Sequence, residues 1–296
     1  MIGAQPLRRS SISRILLPVD FGPGSHQAGA LARMLAQQYG SRLWIAHVVE
    51  PVTAPDAAFI HSAGAIEYAE QHMARFVASE SWGDVAFQTV IRAGHLWHVL
   101  SQLVEENGID LIIAGAHGRN WLTKVVLGSA AELMVRNAKC PVLTVSPRLR
   151  QNPLDGLLRI LVPLDAQSHP ASALAYTVAL ANENNAQVVF LHVLHHSAMP
   201  LDYPDEEPID DERYAAAMAR LREITPSAQH FRREPEIIID SGVPADTIVE
   251  VAKRTGADLI AMPVRRAATA AKVHAPWHTA YRVICHATCP VLTLAE

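Results

Sequence analysis

The sequence predicts an α/β protein made of two tandem domains, each a parallel sheet covered by helices. Two observations carry this. Near-continuous apolar runs, such as Leu43-Trp-Ile-Ala-His-Val-Val49 and Leu111-Ile-Ile-Ala114, alternate with helical patterns, as expected of strands buried on both faces. The pattern also occurs twice: Ile160-Leu-Val-Pro-Leu-Asp165 repeats Ile15-Leu-Leu-Pro-Val-Asp20 at an offset of 145 (160 against 15). A chain of 296 residues is long enough for two domains of ordinary size.

Taken in order, Ile15 to Asp20 reads as a short apolar strand ending in a carboxylate. After the loop Phe21-Gly-Pro-Gly-Ser25, the residues Ala28, Leu31, Ala32, Leu35 and Tyr39 mark one face of a helix, which Gly40 stops. Leu43 to Val49 is the second strand. The stretch from Glu50 to Gly64 is irregular and contains Pro51 and Pro55; a helix is expected over Ile66 to Ser79. Val85 to Ile91 reads as the third strand, closed by Gly94. Leu96, Val99, Leu100, Leu103 and Val104 mark the next helix, stopped by Gly108. The fourth strand is Asp110 to Ala114. A glycine-bearing segment, a helix over Ala130 to Arg136 and a fifth strand, Pro141 to Ser146, complete the first half.

The second half restarts the pattern. Leu191-His-Val193 echoes Ala46-His-Val48, Ser241-Gly242 echoes Ala93-Gly94, Asp258-Leu-Ile echoes Asp110-Leu-Ile, and Cys289-Pro-Val-Leu-Thr echoes Cys140-Pro-Val-Leu-Thr. The offset drifts from 145 to 149 (289 against 140), which places small insertions in loops. The expected organisation is a domain over 1–147, a linker over 148–157 and a second domain over 158–296.

The chemistry concentrates between the fourth strand and the helix after it: Gly115-Ala-His-Gly118-Arg-Asn-Trp-Leu-Thr-Lys-Val-Val-Leu-Gly128-Ser129. Glycine lets backbone N–H groups approach a phosphate without a Cβ in the way. The helix start adds unpaired N–H donors and a partial positive charge. The spacing, Gly-x2-Gly-x9-Gly-Ser, fits neither the P-loop nor the Rossmann fingerprint. It resembles the ATP-binding motif of the universal stress protein family. Gly128-Ser-Ala-Ala-Glu-Leu-Met-Val-Arg and Cys140-Pro-Val-Leu beyond it look like that family's closing helix and last strand.

The resemblance covers almost the whole chain. It implies an adenine nucleotide alpha hydrolase-like fold: an open five-stranded parallel sheet of order 3-2-1-4-5 with helices on both faces, present twice. Ligand is then expected at the carboxyl ends of strands one and four, where the order reverses. The resemblance places Asp20 beside the nucleotide, accepting from the nucleoside or helping to hold Mg²⁺, and the backbone of Val48 at the adenine edge. Gly115, Gly118, Gly128 and Ser129 are expected to wrap ribose and phosphates through backbone N–H groups, with Ala114 and Ala130 flanking them. Arg119 and Lys124 are candidates to pair with phosphate. His117 lacks a carboxylate to orient it and a nucleophile to serve.

The second domain departs from the pattern. Pro263 stands where Gly115 was, Arg266 where Gly118 was, and Trp277-His278 where Gly128-Ser129 were. Proline removes a donor and tryptophan fills the space a phosphate needs. Asp165 remains, and Arg265 and Arg266 are candidates for some other anion.

Composition narrows the function classes. A net charge of −4 without a basic run argues against nucleic acid and anionic membranes. No apolar run approaches the roughly 20 residues needed to cross a bilayer. The first residues lack the apolar core of a signal peptide, and three cysteines make no disulfide framework, which together point to the cytoplasm. Cys285, His286 and Cys289 are close enough to suggest metal, but Cys289 holds the place of Cys140 before a strand, where a buried thiol is expected. The leading expectation is an ATP-binding regulator with Mg²⁺, a homodimer with pseudo-dimeric domains in each chain, and a regulatory protein partner. The alternatives are a slow ATPase or phosphotransferase, for which no positioned base is evident, and a nucleotide-independent interaction protein.

Overall fold

The computed structural model describes residues 12–51, 61–116, 127–146, 157–168, 170–194, 211–264 and 274–296, without the side chains of 61–63 and 274–277. The linker expected at 148–157 therefore lies almost wholly outside the described residues. The chain packs as two compact units, one over Ser11–Pro147 and one built on Arg148–Leu294.

In the first unit the elements run β1 (Arg14–Pro18), α1 (Pro23–Tyr39), β2 (Arg42–Val49), α2 (His61–Ser79), β3 (Phe87–Ala93), α3 (Leu96–Asn107), β4 (Leu111–Gly115), α4 (Ser129–Asn137) and β5 (Val142–Val145). Ile15, Leu16, Leu17, Ile112 and Ile113 have no exposed surface, because helices cover both faces of the central strands. All four pairings are parallel, and the order is β3-β2-β1-β4-β5, the expected 3-2-1-4-5. Right-handed crossovers put α1 and α2 on one face and α3 and α4 on the other. The contacts agree: His26 of α1 lies 4.8 Å from Phe76 of α2, and α3 packs against α4.

The second unit runs β6 (Arg159–Pro163), α5 (Ala171–Asn184), β7 (Gln187–Leu194), α6 (Asp211–Ile224), a 3₁₀ turn (Ala228–His230), β8 (Glu236–Ser241), α7 (Pro244–Thr255), β9 (Leu259–Val264), α8 (His274–His286) and β10 (Val291–Ala295). Its order is β8-β7-β6-β9-β10. Cys285 and Cys289 are both buried, one in α8 and one just before β10.

The first-unit strands lie within one residue of their expected bounds except two, which end two residues away. β1 stops at Pro18 because the N–H of Asp20 turns to Ser25 Oγ at 2.9 Å and leaves the ladder. β3 runs Phe87–Ala93 instead of Val85–Ile91, because Val85 donates to Trp82 O at 3.2 Å in a turn. Val85 is apolar for burial alone.

The duplication extends to interactions. Asp110, just before β4, accepts the N–H groups of Ser13 at 2.9 Å and Arg14 at 3.1 Å, and so fixes the start of β1. Asp258 does the same for Leu158 and Arg159, both at 2.9 Å. The C-cap of α1 is Gly40, with φ +66, and that of α5 is Asn185, with φ +52, each in the left-handed conformation a helix end demands. A surface pair is inverted: Arg92–Glu106 at 2.8 Å in the first unit stands where Asp240–Arg254 at 2.7 Å stands in the second.

Burial holds the Asp110 carboxyl above the ordinary carboxylate range, against the opposing pull of the Ser13 and Arg14 N–H donors and the Arg14 charge. A raised folded value means that the folded state binds the proton more tightly. This contribution to stability is therefore present at low pH and is lost as pH rises through the raised value. Asp110→Asn keeps an acceptor and removes the titration. The wild type should lose stability relative to that variant as pH rises, read from urea midpoints between about pH 3.5 and about pH 7. A difference that is constant across this range would show that burial does not control the group.

Candidate functional site

The carboxyl ends of β1 and β4 diverge at the point where strand order reverses, which opens a crevice in an open parallel sheet. In the first unit it holds a cavity of about 230 Å³. Its wall contains Asp20, Val48, Ala114, Gly115, Gly128, Ser129 and Ala130. Seven of the ten residues expected at the nucleotide thus share one cavity. Gly118 and Arg119 lie outside the described residues, as do His117 and Lys124.

Asp20 is not the last residue of β1 but sits two positions beyond it. Its Oδ1 accepts the Gly22 N–H at 2.9 Å and the Ser25 hydroxyl at 2.7 Å, which ties the loop to the first turn of α1. Gly115, the last residue of β4, meets that same turn: a Cβ there would lie 2.8 Å from the carbonyl carbon of Gly24. Across the cavity, α4 begins at Ser129 behind Gly128, which caps it without any side-chain bond. The Gly128 N–H donates to Ala116 O at 2.9 Å. The Gly128 N–H is thus engaged within the loop, whereas Ser129 and Ala130, in the first α4 turn, line the cavity and have no intrahelical acceptor for their N–H groups.

The cavity also contains residues that motif reading missed: Ser25, His47, Glu50, Leu96 and Met134. His47 Nδ1 donates to Val19 O at 2.7 Å. A carbonyl only accepts, so Nδ1 carries the proton. His192 makes the same bond to Leu164 O at 2.9 Å. The repeated Ala-His-Val and Leu-His-Val triplets were the available signal. Phe21 adopts φ +64, which few non-glycine residues tolerate, and sets its ring 4.5 Å from His47. Among the described residues, no group of three or more His, Cys, Asp and Glu side chains is arranged to hold a metal. No helix among them is long and apolar enough to cross a membrane.

Comparison with known proteins agrees with this architecture. The sequence model described as the universal stress protein family matches residues 11–146 and again 157–294. The chain belongs to the universal stress protein family. It is 30% identical over 134 residues to a universal stress protein of Thermus aquaticus, covering 44% of this chain and 96% of the relative. It is 27% identical over 138 residues to one from Methanocaldococcus jannaschii, covering 45% and 81%. Both relatives thus align with one domain's length. A universal stress protein structure from Archaeoglobus fulgidus superposes on both domains, with TM-score 0.68, 18% identity, and 97% and 99% of the two chains covered.

The two universal stress domains differ at the mouth of the crevice. Pro263 lies within β9, at the register position of Gly115. By the 145-residue offset, the counterpart of Pro23 is Ser168, yet α5 begins only at Ala171. The two helices end at matching positions, so α5 has lost its first three residues, 14 against 17. The side chain of Glu296 caps the shortened helix, accepting from Ser172 Oγ at 2.9 Å and from the Ala173 N–H at 2.8 Å. The opposite change occurs at α8. The counterpart of Ser129 is His278 at an offset of 149, and α8 already begins at His274. One extra turn moves the open N–H groups away from the position they hold in α4. The side chain of Trp277, and Arg265 and Arg266, lie outside what is described.

Two outcomes follow from this geometry. Gly115→Ala should cost about 1–3 kcal/mol, the range for forcing extra volume into packed structure, because the neighbour it meets is the Gly24 backbone and α1 must yield. Chemical denaturation reads it, and a wild-type midpoint would mean the approach to Gly24 is not limiting. Glu296→Ala should cost about 1 kcal/mol, as loss of a helix N-cap does. If the unfolding midpoint does not move, Glu296 is not the cap of α5 in solution.

Proposed function

We propose that the first domain binds one ATP with Mg²⁺ per chain and that the protein acts as a nucleotide-dependent sensor or regulator in the stress response. The supporting observation is the cavity that gathers Asp20, Val48, Gly115, Gly128 and Ser129 at the strand-order reversal. Its residues suit an anionic nucleotide. The first residues of α4 line the cavity behind Gly128, an N-cap that makes no side-chain bond, and such a terminus favours phosphate. Phosphates would lie against Ser129 and Ala130, and the nucleoside toward Val48. Bound Mg²⁺ would neutralise phosphate charge, held mainly by phosphate and water oxygens, with Asp20 on the nearby loop.

The second domain retains Asp165, but Pro263, the late start of α5 and the early start of α8 rebuild its crevice. We read that half as an interaction module that takes no nucleotide in this manner.

Calorimetric titration of the nucleotide-stripped full chain with Mg-ATP should give one site per chain. At a hundredfold excess over its dissociation constant, the ligand should add about 2.7 kcal/mol to the stability of the first domain. Gly128→Trp should weaken binding at least tenfold, about 1.4 kcal/mol. Two sites per chain would refute the assignment to the first domain alone. Melting curves unaffected by saturating Mg-ATP would remove nucleotide binding from the function.

A further inference from the structure

The cavity of the first domain is electrically polarised. One end is the N-terminus of α4, with the partial positive charge of a helix start. The other end is the carboxyl end of β2, where Val48 is followed by the exposed carboxylate of Glu50. β1 lies between β2 and β4. The two ends are thus two strand spacings apart, roughly 9.5 Å. On the nucleotide reading of this cavity, a phosphate on α4 would set the outer edge of the base toward β2.

Glu50 is held in place. Its Oε1 accepts the N–H of Leu96 at 3.4 Å, at the start of α3, where the N-cap residue His95 makes no side-chain cap. The contact is long, and it engages one of two carboxylate oxygens. An ionised carboxylate accepts hydrogen bonds and cannot donate. A 6-aminopurine presents an N–H donor on its outer edge, and a 6-oxopurine presents a carbonyl oxygen at the same place. The carboxylate attracts the first and repels the second, so discrimination comes from repulsion as well as attraction.

We propose that Glu50 is a specificity-determining residue that selects a 6-aminopurine nucleotide over a 6-oxopurine nucleotide in the first-domain cavity. This rests on the nucleotide reading of that cavity. Because Glu50 is exposed, solvent screens the effect, and the preference is about tenfold, the size of one modest charged hydrogen bond.

The test compares Mg-ATP with Mg-ITP, which differ at the six position of the base, by calorimetry on the full chain. Wild type should favour ATP about tenfold. Glu50→Gln keeps an acceptor for the Leu96 N–H and adds a donor for an oxo group. It should bring the ATP-to-ITP ratio close to one, mainly by tightening ITP, with the unfolding temperature unchanged. An unchanged ratio in the variant, or equal weakening of both nucleotides, overturns the proposal and leaves Glu50 as a helix cap or ribose contact. A wild type that binds ATP and ITP equally overturns it too, with nucleotide binding intact. A wild type that binds neither overturns both readings together.

Discussion

The approach of Gly24 to Gly115 governs the mouth of the first domain. With hydrogen in place of a side chain at the end of β4, the first turn of α1 can lie over that strand end, 2.8 Å from where a Cβ would be. Asp20 and Ser25 then close the loop from below, and His47 ties β2 to the same loop through Val19. The cavity is what remains between this fixed turn and the start of α4. Proline at the same register in the second domain brings ring atoms where Gly115 has none. The helix there starts three residues later, and the end of α5 so exposed receives the Glu296 carboxylate. A difference of one side chain at one strand end is thus associated with two different crevices.

The two domains share scaffold interactions and differ at the mouth for a physical reason. The interactions shared by both domains are directed at backbone: Asp110 and Asp258 accept strand-start N–H groups, and His47 and His192 donate to the carbonyl after the first strand. Such bonds need one side chain and tolerate any neighbour. Pairs of side chains drift together instead, as the inverted Arg92–Glu106 and Asp240–Arg254 pairs do. Being exposed, such pairs contribute little to stability, so an exchange of signs costs little as long as opposite charges still meet.

The sequence by itself determined the repeat, the five strand cores of the first half and the place of the glycine-bearing motif. These are local properties: strands buried on both faces must be apolar throughout, and a turn against a ligand needs glycine. Strand ends were less legible, since Val85 and Asp20 continue the apolar or motif pattern while their N–H groups serve turns. The tertiary structure decided the contacts of Glu50, His47 and Glu296. Glu296 caps a helix whose Ala173 lies 123 residues away, and a carboxylate on a strand-end residue looks the same in sequence whether it meets solvent or a helix start. The starts of α5 and α8 were also hidden, because each depends on what the facing strand end leaves room for. Spacing in sequence records which residues are present; close approach between segments far apart in the chain decides what each of them can reach.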